Sequence, residues 1–172
     1  MNDRMIRKIL VPTDFSKLSM VALEYAEMLL KYQSPEIYLL HVLDKSTMRK
    51  DEKEKKSSEK NFAVIEKVAM KQLSNIAGQY FTETNIVTLA LRKGDPSREI
   101  VKLAKEEKVD LIIISTHGRT GIVHVLMGSV AEKVVRYSPA PVLSVKPTSM
   151  RLKLMDEADI DEQLHLKPSA SK

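Results

Sequence analysis

The sequence predicts a single doubly wound α/β domain, and three observations predict it. Short apolar runs rich in β-formers alternate with amphipathic stretches whose apolar residues recur at helical spacing. One run, Asp110-Leu111-Ile112-Ile113-Ile114-Ser115, is apolar on both alternating faces, as the centre of a parallel sheet covered by helices requires. The 172 residues, 43% hydrophobic and 30% charged, enclose one sizeable core and call for no second.

The first strand is Ile6 to Val11, stopped by Pro12 and followed by the polar turn Thr13-Asp14-Phe15-Ser16. Leu18, Ala22, Tyr25, Ala26 and Leu29 then predict an amphipathic helix from Ser16 to about Lys31. Ile37 to Leu43 is the second strand, and the charged stretch Asp44 to Lys60, without apolar period, reads as a solvated loop merging into a helix. Phe62, Ile65, Ala69, Leu73 and Ile76 place that helix from roughly Ser58 to Tyr80, and Asn85 to Leu91 is the third strand. Asp95-Pro96 starts the third helix, which runs to about Glu107. The carboxylate caps free N–H groups, and proline at the first helical position sacrifices no hydrogen bond. After the strand ending at Ser115 come a loop, a helix from Ser129 to Tyr137 and a last strand, Val142 to Val145. Residues 1–147 form the expected domain. Residues 148–172 mix charges with scattered leucines and read as a flexible tail with a short helix around Asp156 to Leu166.

Alternating strands and helices imply parallel neighbours joined by right-handed crossovers. The expected arrangement is Rossmann-like, with strand order 3-2-1-4-5 and helices on both faces. Ligands of such sheets sit beyond the carboxyl ends of the strands, where the strand order reverses. Three turns leave carboxyl ends: Pro12 to Ser16, His41 to Asp44, and Ser115 to Gly128. With strands one and four at the switch point, the first and third turns face each other.

The third turn carries chemistry. Gly118, Gly121 and Gly128 let backbone N–H groups approach a phosphate, and a helix starting at Ser129 offers unpaired N–H groups and a positive dipole end. Arg119 and His117 add charge or hydrogen bonds to phosphate oxygens. The same residues have plainer uses. Ser129-x-x-Glu132 is also a capping box, the glycines also permit turns, Asp14 also caps the first helix, and Val42 also fits a core.

The segments Ile9 to Ser16, Leu40-His41-Val42, Ser115 to Gly121, Gly128 to Val134 and Pro139 to Val145 together resemble the universal stress protein family, in the order expected from Met5 to about Lys146. The ATP-binding branch of that family has the motif glycine, two residues, glycine, nine residues, glycine, then serine or threonine. Gly118, Gly128 and Ser129 match it, and Ser115 stands at the first glycine position. The phosphate end of the motif is therefore better matched than the ribose end. The resemblance implies that Asp14 bonds to the nucleoside, that Val42 lies beside the adenine, and that Gly118, Gly128, Ser129 and Val130 hold phosphates. The candidate pocket is thus Pro12, Thr13, Asp14, Val42, Ser115, His117, Gly118, Arg119, Gly128, Ser129 and Val130. Its ligand is ATP or another adenine nucleotide, with magnesium reached through Asp14. The resemblance also implies a homodimer through the last strand, Val142 to Lys146, whose edge is open for pairing. The loop His117 to Met127 is the segment that ligand phosphate would order. A nucleotide-free dimeric interaction module of the same fold is the competing expectation.

Other classes fit less well. There is no Gly-x-x-x-x-Gly-Lys-Ser/Thr and no Gly-x-Gly-x-x-Gly after the first strand, so slow ATP hydrolysis is the most that these residues encode. No Gly-x-Ser-x-Gly elbow or cluster of paired histidines and carboxylates is present. A phospho-accepting receiver domain needs an aspartate at the end of the third strand, which here ends Leu91-Arg92-Lys93-Gly94. The formal charge of +5 attracts anions, but signs alternate locally and only 5% of residues are aromatic, which disfavours a nucleic-acid partner. The absence of cysteine, the charged residues between Met1 and Lys8, and the lack of a long apolar run point to a cytoplasmic protein without a membrane partner.

Overall fold

The computed structural model describes residues 5–44, 58–118 and 127–146. Along them run β1 (Lys8–Pro12), α1 (Val21–Leu30), β2 (Glu36–Leu43), α2 (Ser58–Tyr80), β3 (Val87–Lys93), α3 (Pro96–Glu106), β4 (Leu111–Ser115), α4 (Ser129–Tyr137) and β5 (Val142–Val145). The strands form one parallel sheet in the order β3-β2-β1-β4-β5, the arrangement expected. Most of the charged stretch after Asp44, the loop residue Arg119, and the tail with its expected short helix lie outside the described residues.

The continuous apolar runs have a simple cause: the sheet is buried on both faces. Side chains alternate along a strand, so Ile9 and Val11 of β1, Ile37 and Leu39 of β2, and Ile113 of β4 face α1 and α2. Leu10, Leu40, Ile112 and Ile114 face the other way, against Ile100, Leu103 and Ala104 of α3 and Ala131 and Val134 of α4. Ile9, Leu10, Ile37, Leu39, Leu40, Ile112 and Ile113 are wholly buried, each contributing about 2 kcal/mol relative to an exposed position.

Several boundaries differ from the sequence expectation. β1 begins at Lys8 rather than Ile6 and is not stopped by Pro12, which is its last residue and pairs with Leu40 of β2, because the fixed φ of proline suits the end of an extended strand. The first helix begins at Val21 rather than Ser16. Ser16 to Met20 instead forms tight turns, in which Ser19 N–H donates to Ser16 O at 3.0 Å and to Ser16 Oγ at 3.2 Å. Serine and aspartate side chains compete for N–H groups that a helix would otherwise use, and Asp14 Oδ1 accepts the Ser16 N–H at 3.0 Å. Asp14 therefore closes a turn rather than capping α1. The third strand begins at Val87, because Asn85 is held in a turn with Thr82 by its N–H to Thr82 O at 3.0 Å and by Thr82 N–H to its Oδ1 at 2.9 Å.

Asp95 caps α3 as expected. Its Oδ1 accepts the Arg98 N–H at 2.9 Å, and the Ser97 hydroxyl donates to the same oxygen. These bonds, Ser97 foremost and then Arg98, hold its carboxyl below the ordinary value of 3.8. Asp95→Ala is expected to cost about 1 kcal/mol at neutral pH. A depressed folded value means that the stabilisation is complete above the unfolded value and is lost as pH falls through the folded one. The difference in urea midpoint between wild type and variant therefore closes in acid, and a difference independent of pH would count against the cap.

Candidate functional site

Strands β1 and β4 are neighbours, yet the helices that follow them cover opposite faces: α1 lies on one side of the sheet and α4 on the other. The chains diverge at the carboxyl edge and leave a crevice there. It holds a cavity of about 330 Å³. The walls come from the end of β1 and the turn after it (Pro12, Thr13, Asp14 and Ser19), the end of β2 and the residue beyond it (Leu40, His41, Val42 and Asp44) and the start of α3 (Pro96 and Ile100). Ile114 to Gly118 and Gly128 to Ala131 complete it.

The turn after β1 is tied down from several sides. Thr13 N–H donates to Leu40 O at 2.8 Å, continuing the β1–β2 ladder by one bond. The Thr13 hydroxyl lies 2.9 Å from Ser19 Oγ and accepts the Phe15 N–H at 3.1 Å. His41 Nδ1 stands 2.8 Å from Thr13 O, and its ring stacks on Phe15 with centroids 4.0 Å apart and planes at 27°. Phe15 has φ of 66°, a left-handed conformation that a bulky residue adopts only where its surroundings enforce it.

The turn after β4 meets this turn directly. A Cβ placed on Gly118 would stand 2.5 Å from Asp14 Oδ2, so only glycine lets the backbone pass this close to the carboxylate. Thr116 N–H donates to Val145 O at 2.9 Å, and Thr116 O accepts the Gly128 N–H at 2.7 Å. A Cβ on Gly128 would lie 3.1 Å from that same carbonyl oxygen, tighter than ordinary packing. The Gly128 N–H thus serves this internal bond. The first bond within α4 is Glu132 N–H to Gly128 O at 3.0 Å, so the N–H groups of Ser129, Val130 and Ala131 precede the helical ladder at the cavity wall.

Gly128 is the N-cap of α4 and Ser129 its first residue, so the capping-box alternative is not realised; Glu132 pairs with Arg136 at 3.3 Å instead. Ser115 is buried, and its Oγ accepts the His117 N–H at 3.3 Å. His117 is also buried, with Nδ1 2.9 Å from Thr116 Oγ1, which makes it a scaffold residue as well as a wall residue. Val42 belongs to the core on the α3 and α4 face and lines the cavity too. The fold therefore brings together every candidate from the sequence except Arg119, which lies outside the described residues along with most of the loop from His117 to Met127.

Several wall residues were not among the sequence candidates, notably Pro96, Ile100, Thr116 and His41, whose ring stacks on Phe15 behind the wall. For the first two a signal exists: Gly94-Asp95-Pro96 also follows the carboxyl end of a strand, but its helix-start chemistry accounts for it so fully that it suggests no second role. The apolar contributions of Val42, Ile100, Ile114 and Pro96 and the N–H groups at α4 suit an amphipathic ligand, with a flat apolar body at one end and anionic oxygens at the other.

The sequence matches the universal stress protein family over residues 5–146. It is 34% identical over 161 residues to the universal stress protein MJ0577 of Methanocaldococcus jannaschii, covering 83% of this chain and 96% of that one. The solved structure of MJ0577 superposes with a TM-score of 0.75 over 84% of this chain and 98% of the other. The same fold recurs at lower identity in a universal stress protein in complex with cAMP (22% identical, TM-score 0.59, 82% and 97% covered). It recurs again in an Arabidopsis thaliana universal stress protein family protein with AMP bound (18% identical, TM-score 0.56, 88% and 99% covered). The family match across the whole described sheet, and a relative 34% identical along most of both chains, establish this chain as a member of the universal stress protein family.

Proposed function

We propose that this chain is a cytoplasmic, homodimeric stress-response protein that binds ATP or another adenine nucleotide in the cavity between β1 and β4. The observation that carries this reading is the contact of Gly118 with the Asp14 carboxylate beside the start of α4. It sets a hydroxyl-binding carboxylate and phosphate-binding N–H groups on opposite sides of one crevice. Asp14 receives ribose hydroxyls, Val42 lies against the base, and Gly118, Ser129 and Val130 accommodate phosphates. Gly128 acts by allowing close approach, since its N–H is bonded to Thr116 O. The cAMP and AMP complexes of similarly folded proteins support an adenine nucleotide as the ligand class. A magnesium ion accompanying the phosphates would be held mainly by them, and Asp14 is the residue that would supply it a carboxylate oxygen.

Dimerisation through β5 is supported by its backbone direction. Pro141 O and Val145 O accept hydrogen bonds from β4 and from the residue after it. The alternate residues, Val142 and Ser144, therefore direct their N–H and C=O groups away from the sheet. Leu143 is 36% exposed beside this edge. Sedimentation should show a dimer, and Ser144→Pro, which removes an outward donor while sparing the ladder, should give a folded monomer. A wild-type monomer at micromolar concentration would overturn this assembly.

The nucleotide reading is tested by mass spectrometry of the purified protein for retained nucleotide, followed by calorimetric titration of ATP and AMP with and without magnesium. Binding heat is expected for the wild type. Gly118→Ala forces Asp14 aside and should weaken binding about tenfold or more. The absence of both retained nucleotide and binding heat would sink the reading in favour of the interaction module.

A further inference from the structure

His41 is 4% exposed and belongs to the β2 strand, yet it reaches the turn after β1 through two contacts. Nδ1 lies 2.8 Å from Thr13 O. A carbonyl oxygen only accepts, so Nδ1 carries the proton and the imidazole donates. The flat face of the same ring stacks on Phe15. Thr13 and Phe15 are the residues on either side of Asp14, so one side chain grips the turn both before and after the carboxylate. The conformation it grips is a disfavoured one, with Phe15 at φ of 66°. The internal bonds of the turn, Phe15 N–H to Thr13 Oγ1 and Ser16 N–H to Asp14 Oδ1, are local and part-buried. The His41 hydrogen bond anchors it to a different strand.

We propose that His41 is a positioning residue: by fixing Thr13 and Phe15 it determines where the Asp14 carboxylate stands against Gly118, and through Asp14 it sets the affinity for adenine nucleotide. This rests on the nucleotide-binding reading. The choice of histidine follows from the two contacts, because leucine fills the space without donating, and phenylalanine stacks without donating. Asparagine carries an N–H on the same γ-attached position as the imidazole Nδ1 and donates without stacking.

The test uses the full chain and ATP as the probe. His41→Leu should weaken ATP binding about tenfold, the equivalent of one buried hydrogen bond, and His41→Asn should recover most of the loss. Asp14→Ala should cost far less in the His41→Leu background than in the wild type, because the carboxylate is already displaced. In the ligand-free protein, hydrogen exchange at the Phe15 and Ser16 amides should accelerate in His41→Leu and slow again in His41→Asn. Phe15→Gly keeps the positive φ without strain and removes the stack, so its Ser16 amide should also exchange faster even if His41→Leu fails to fold. A merely structural histidine would lower the unfolding midpoint and leave affinity, coupling and amide protection in the folded protein unchanged, which overturns the proposal. The two readings fail separately. A wild-type protein that binds no ATP overturns the nucleotide function, whereas unaltered exchange in His41→Leu and Phe15→Gly overturns the positioning role.

Discussion

The close passage of Gly118 over the Asp14 carboxylate depends on the divergence of two neighbouring strands, and the rest of the cavity follows from it. β1 and β4 are adjacent, but each hands its chain to a helix on a different face of the sheet. The turns that leave them must part to reach those helices, and the space between them cannot be filled by either helix. What the chain can choose is how near the turns come at their closest point. A residue larger than glycine at position 118 would hold them apart by the width of a side chain.

The two sides of the crevice are stabilised by different means. The Asp14 side is a turn of competing side-chain bonds, with Thr13, Ser16 and Ser19 hydroxyls all engaged within a few residues and a left-handed Phe15 held at its centre. The Gly118 side combines the backbone bonds of Thr116 to Val145 and Gly128 with side-chain bonds of Ser115 and Thr116 to His117. The first side is braced from β2 by His41, and the second is tied to the edge strand β5 through Thr116. The apolar wall is a by-product of the core, since Val42, Ile100 and Ile114 pack beneath the sheet edge and end at the cavity.

Much of this is legible in the amino-acid sequence. The all-apolar run Leu111 to Ile114 requires burial on both faces, and the alternation of such runs with amphipathic stretches leaves few topologies. The facing of the first and third turns follows from that order, and Gly118 against Asp14 is its realisation. The start of α1 was harder to read, because the apolar period that announces a helix begins at Leu18 whereas the serine hydroxyls decide where the helical ladder begins. The roles of individual N–H groups were harder still. Gly128 has the position and size for phosphate contact, but its N–H is taken by a carbonyl twelve residues earlier, Thr116 O, a pairing that no local pattern encodes. His41 reads as a satisfied strand histidine in one dimension; its grip on Thr13 and Phe15 is a property of strand adjacency.

Thr116 joins the edge of the sheet to the wall of the cavity within a single residue, its N–H bonded to Val145 and its C=O to Gly128. A slip of β5 by one position would turn the Val145 carbonyl away and bring in a residue whose polar groups face outward. The Thr116 peptide would lose its anchor, and the start of α4 would lose the reference that locates it. Misregistered molecules would therefore lack a finished cavity. In this architecture, correct assembly of the last strand and competence of the crevice are checked by the same two hydrogen bonds, so that fidelity of folding is built into the machinery of recognition.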